Sequence, residues 1–130
     1  MDRKPVIGIT MGDPNGIGPE VVVKALAKGG AGYDAVVFGS RDVLYAASEL
    51  VGAFPEYKLV EAFELGMSGV APGKVDRQAG EASLFYIKAA VAAAMAGEID
   101  AVVTAPISKE STHLAGSPYP GHTEMLKDLT

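Results

Sequence analysis

The chain has 130 residues, 48% apolar and 21% charged, which is the composition of one globular domain rather than a disordered segment. Its formal net charge of -5 leaves no basic face for nucleic acid or an anionic membrane. With no cysteine, neither a disulfide framework nor a thiolate zinc site can form.

The longest apolar stretch, Ala89 to Gly97, falls well short of the ~20 residues that a membrane span needs. At the amino terminus, MDRKPVIGITMGDP carries positive charge, but Gly8 and Asp13 break its apolar run and no cleavage site follows. No signal peptide is expected, and a cytoplasmic protein is the default.

Val6 to Thr10 is a short β-branched run, as in a buried strand of a parallel sheet. Pro19 suits the first turn of a helix and Glu20 its positive end, with Val21, Val22, Ala25 and Leu26 as the apolar face and Gly29-Gly30 as the stop. Ala35 to Phe38 reads as a second strand. Ser40 then caps a helix with Val43, Leu44, Ala47 and Leu50 on one side and Gly52 at its end. Tyr57 to Val60 is a weaker third strand, and Glu61 to Asp76 an irregular loop.

Helical spacing resumes at Ala79, with Leu84, Ile87, Val91 and Met95 on one face and alanines that let a neighbouring backbone approach. Gly97 ends that helix, Ile99 to Thr104 forms the next strand, and Pro106 stops it. A last helix begins near Thr123, and the abrupt close at Asp128-Leu129-Thr130 reads as a cut. Strands alternating with helices predict an α/β fold with a mainly parallel sheet and flanking helices.

Stretches just past strand ends carry the candidate chemistry, because ligands of open α/β sheets bind there. In TMGDPNGIGPE the glycines stand at 12, 16 and 18, which fits neither G-x-G-x-x-G nor G-x-x-x-x-G-K-[ST]. The loop is then either a tight turn with positive-φ glycines or a ligand loop, in which Asp13 favours a hydroxyl, amine or cation over a phosphate. TAPISKE places Thr104, Ser108 and Lys109 in a short loop. In PYPGHTE, Thr123 caps the final helix, and neighbouring His122 can donate to a phosphate or carboxylate or move a proton. His113 reads as structural or exposed. Two histidines cannot build a three-histidine metal site.

Together ITMGDPNGIGPE, GKVDRQAGEASLFYIKAA, AGEIDAVVTAPISKE and YPGHTE resemble, in order, the amino-terminal part of the 4-hydroxythreonine-4-phosphate dehydrogenase family of vitamin B6 biosynthesis. The resemblance implies that residues 1–130 are the amino-terminal α/β portion of a longer two-domain enzyme, similar in architecture to isocitrate and isopropylmalate dehydrogenases. It implies a homodimer that oxidises a phosphorylated hydroxy acid with NAD or NADP and a divalent metal cation, followed by decarboxylation. His122 and Thr123 match the family's substrate-binding pair, and Asp13 and Lys109 fall in motifs near its cleft. The metal ligands and most cofactor contacts are implied to lie beyond this chain, so no residue here is assigned as a metal ligand or catalytic group. Dehydrogenases of phosphorylated threonate or erythronate share the motifs. A non-catalytic α/β binding module is the reading from a different class.

Overall fold

The computed structural model describes residues 3–29, 32–61 and 70–130. Element order is β1 (Val6–Thr10), α1 (Gly18–Lys28), β2 (Asp34–Phe38), α2 (Arg41–Val51), β3 (Lys58–Val60), α3 (Arg77–Met95), β4 (Ala101–Thr104), α4 (Lys109–Leu114) and α5 (His122–Leu129). Among the described residues no helix is long and apolar enough to cross a membrane. Much of the loop read over Glu61 to Asp76 lies outside the described residues.

The strands form a four-stranded, wholly parallel sheet in the order β3-β2-β1-β4. Right-handed crossovers put α1 and α2 on one face; the return from β3 to β4 runs in the opposite direction and carries α3 across the other. In register, Val36 and Phe38 of β2 face Ala89 and Ala93 of α3 across a hollow of about 560 Å³. Ile9, Val37 and Phe38 meet Val22 and Val23 from α1, Val43, Leu44 and Ala47 from α2, and Ala82, Tyr86 and Ala90 from α3 in the main core. Each large side chain so buried stabilises by about 1.5–3 kcal/mol relative to exposure.

Several expected faces shift. Helix α1 buries Val22 and Val23, whereas Val21 and Ala25 turn to solvent. The adjacent valines, together with Leu26, sit over the sheet, and the stripe is rotated from the one read by spacing alone. Leu50 and Met95, placed on apolar faces by spacing, are 72% and 66% exposed, each in the last turn of its helix and past the core. Helix α3 starts earlier than Ala79, because Asp76 caps it by accepting from Ala79 N at 2.7 Å. It buries two faces: besides the one against the sheet, Leu84, Ile87 and Val91 pack on Met125 of α5 in a second cluster with Ile107 and Leu126.

The start of β4 is tied down by Asp100, whose carboxylate accepts two hydrogen bonds from the Arg3 guanidinium at 2.7 and 2.8 Å and one from Val6 N at 2.7 Å. The guanidinium and the backbone donor hold this carboxyl down at about 2. The outer face of β4 is less covered, and Val103 is 53% exposed.

Candidate functional site

The order in which strands are added reverses between β1 and β4, and the loops leaving these two parallel strands meet beyond their carboxyl ends. There Asp13 N donates to Pro106 O at 3.0 Å. Gly12 has φ 80°, and a Cβ on it would overlap the Pro106 carbonyl. A Cβ on Gly18 would overlap the Met11 carbonyl in the same way. Gly12 and Gly18 thus let backbone lie on backbone. Of the three glycines of TMGDPNGIGPE only Gly12 has the positive φ that the tight-turn reading expects, and Gly18 serves instead by letting backbone approach backbone.

Asp13 points into the turn. It is 6% exposed, and its Oδ1 accepts from Asn15 N at 2.9 Å. Burial pushes its carboxyl up, against the pull of that backbone bond, and the neighbouring Asp76 charge adds to the rise. Asn15, not singled out by its sequence context, is the hub of the loop. Its Nδ2 donates to Lys74 O and to Asp76 Oδ2, both at 3.2 Å, and its Oδ1 accepts from Ala71 N at 2.9 Å. Its carbonyl accepts from Gly73 N at 2.6 Å. All of this polar capacity is used inside the protein, as burial requires.

The stretch read as the loop TAPISKE is in part a helix. Ser108 caps α4 by accepting from Ser111 N at 3.1 Å, and Gly116 beyond its end has φ 93°. A helix of 6 residues is too short to show a period, but Ser108, the first-turn Glu110 and Gly116 are its boundary signals. Lys109 therefore sits in the positively polarised first turn, exposed, and makes no ion pair among the described residues. His113 is exposed in the last turn.

Helix α5 corrects a second expectation. Gly121, fully extended at φ -174° and ψ -167°, holds the cap position, and His122 is already helical. Thr123 is therefore the second helical residue, exposed, and caps nothing, because capping needs the extended backbone that Gly121 has taken. The Gly121 Cα faces the Lys109 side chain: a Cβ there would lie 3.6 Å from Lys109 Cε and 3.8 Å from Glu124 Oε2. His122 is half-buried, and its Nε2 is fully shielded with no hydrogen-bond partner among the described residues. Burial lowers its pKa and favours the neutral ring. The other such atoms, Thr10 Oγ1 and Tyr86 OH, belong to residues of the main core or its strand end.

The structure thus brings Lys109 beside Gly121, the residue before His122, while Asp13 supports the turn after β1. An open hollow of about 490 Å³ beside Lys109 is lined by Val75, Glu110, His113 and Leu114. A larger one, about 720 Å³, opens among Val6, Asp34 and Lys58 at the strand starts, the end of a parallel sheet that does not carry its ligand loops. Among the described residues no three His, Asp or Glu side chains converge to hold a metal ion.

The family model of the pyridoxal phosphate biosynthetic protein PdxA matches residues 32–130. D-threonate 4-phosphate dehydrogenase of Cupriavidus necator is 42% identical, over 99% of this chain and 44% of its own length. 4-hydroxythreonine-4-phosphate dehydrogenase of Desulfosudis oleivorans is 40% identical over 97% of this chain and 42% of its own. The crystal structure of a 4-hydroxythreonine-4-phosphate dehydrogenase from Burkholderia phymatum superposes with a TM-score of 0.86 at 41% identity, over 98% of this chain and 44% of that one. The chain spans less than half the length of these relatives. The family match starts after TMGDPNGIGPE, which the individual relatives nonetheless cover almost entirely. Matched by the family model over most of its residues, and superposing on a solved relative at 41% identity, the chain belongs to the PdxA family.

Proposed function

We propose that residues 1–130 are the amino-terminal α/β portion of a two-domain homodimeric dehydrogenase that oxidises a phosphorylated hydroxy acid in the cytoplasm. The carbon that bears the secondary hydroxyl β to the carboxylate gives its hydride to NAD or NADP, the hydroxyl gives its proton to solvent, and the resulting β-keto acid releases carbon dioxide. A divalent cation belongs to the same proposal. The role drawn for the described residues is substrate binding.

The observation that carries this role is the shielded Nε2 of His122, without a partner among the described residues, at the start of α5 and directly after Gly121, whose Cα faces the Lys109 side chain. A buried polar atom without a partner is costly, and an anionic oxygen of the substrate would satisfy it. Lys109 adds a cation, and the α5 amino terminus adds backbone donors in which the exposed Thr123 shares. Asp13 contributes the wall of the cleft rather than a contact.

The near-equal identities to the two named relatives keep two acids within the proposal: 4-hydroxythreonine 4-phosphate, on the route to pyridoxal phosphate, and D-threonate 4-phosphate. The test is reduction of NAD or NADP by the full-length protein with each acid, with and without a divalent cation. Metal-dependent turnover of one of them is expected, and none from the isolated 130-residue polypeptide. Binding of either acid without turnover by the full-length protein would instead favour a non-catalytic module.

A further inference from the structure

Three polar residues join the opening turn to the helix that carries Lys109, and each is partly or wholly out of water. Asn15 and Ser111 are 3% and 0% exposed, and Asp76 is half-buried between them. Asn15 Nδ2 donates to Asp76 Oδ2 at 3.2 Å, and Asp76 N donates to Ser111 Oγ at 3.1 Å. The remaining carboxylate oxygen of Asp76 caps α3 through Ala79 N. Ser111 stands two residues after Lys109, and its carbonyl lies against the Cα of Gly80, so α4 can neither approach α3 further nor turn without breaking the chain of bonds.

We infer that Asn15, Asp76 and Ser111 form a strut that sets the place of α4 and hence of the Lys109 ammonium in the substrate cleft. They are positioning residues: none needs to touch substrate, and each acts through Lys109. The inference rests on the reading of Lys109 as a substrate contact. Its chemistry is specific, because Asp76 must accept twice while its own backbone donates, and Asn15 must present an N–H₂ there. A one-ångström displacement of a binding cation is enough to cost substrate affinity.

Asp76→Asn separates the strut from the cap. Asn caps as well as Asp, but once its amide oxygen accepts from Ala79 N, its NH₂ stands where Asp76 Oδ2 was and meets the Asn15 Nδ2 donor to donor. In the full-length enzyme, KM for whichever phosphorylated acid the wild type turns over should rise about fivefold to twentyfold, with kcat within about twofold. In a Lys109→Ala background the same substitution should add nothing, because the strut acts only through that ammonium. A general structural defect would instead cut activity equally in both backgrounds. Ser111→Ala breaks the other end of the strut and gives the same reading should Asp76→Asn fold poorly.

An unchanged KM, or an equal loss with and without Lys109, would overturn the strut. Turnover by the wild type together with either result leaves the dehydrogenase reading standing. A wild type inactive on both acids overturns that reading, and the strut then falls with it.

Discussion

Gly80→Ala is expected to destabilise the protein by about 2–4 kcal/mol, although the substitution lies in a helix interior where alanine normally stabilises. By helix propensity alone the variant would gain about 1 kcal/mol. The added methyl would overlap the carbonyl of Ser111 and come within 2.9 Å of Thr112 N, and both are backbone atoms that cannot rotate aside. Helix α4 would have to move away from α3, opening the packing around buried Ser111 and Thr112. Chemical denaturation of wild type and variant checks it. A variant as stable as the parent, or more stable, would show that α3 and α4 do not touch at this point.

Gly12→Ala is expected to cost about 3 kcal/mol, from two sources. At φ 80° an L-residue is strained, and its Cβ would meet the Pro106 carbonyl. Moving apart would also break the Asp13 to Pro106 hydrogen bond that joins the β1 and β4 loops. Gly16 in the same loop makes the contrast. Its φ is not positive, and a Cβ there would find its nearest neighbour at 3.4 Å, in Asp13, so Gly16→Ala should change stability by less than about 1 kcal/mol. Thermal melting of the pair checks the argument, and equal losses at the two positions would refute it.

What sequence could reveal here divides along physical lines. The β-branched runs at Val6 to Thr10 and Ala35 to Phe38 became β1 and β2, because strands covered on both faces need no polar alternation. Pro19 and Gly52 marked a helix start and a helix end correctly, since their backbone limits are local. Helix α4 escaped because periodicity needs more turns than it has. Leu84, Ile87 and Val91 of α3 were legible by spacing and pack on Met125, whereas the sheet-facing side with Ala82, Tyr86 and Ala90 escaped because alanines conceal which sides are covered.

The candidate site shows the same division. His122 was legible as a polar residue held beside a glycine turn, but its neighbour's capping role was not, because Gly121 claims the extended position. Asn15 could not be read at all. Its side-chain partners lie 56 to 61 residues further along the chain, and nothing local separates it from an ordinary turn asparagine.

His122→Ala, introduced into the full-length protein and assayed with the phosphorylated acid it turns over, tests the proposed site most directly. The ring is half-buried at the start of the last helix and its Nε2 bonds to nothing else among the described residues, so the fold should survive the change. Loss of one hydrogen bond to a charged oxygen is worth about 1.5–3 kcal/mol, a fall in kcat/KM of roughly tenfold to 150-fold. That fall, with the melting temperature preserved, is the predicted result; an unchanged kcat/KM would remove His122 from the site and with it the substrate cleft placed at this edge of the sheet.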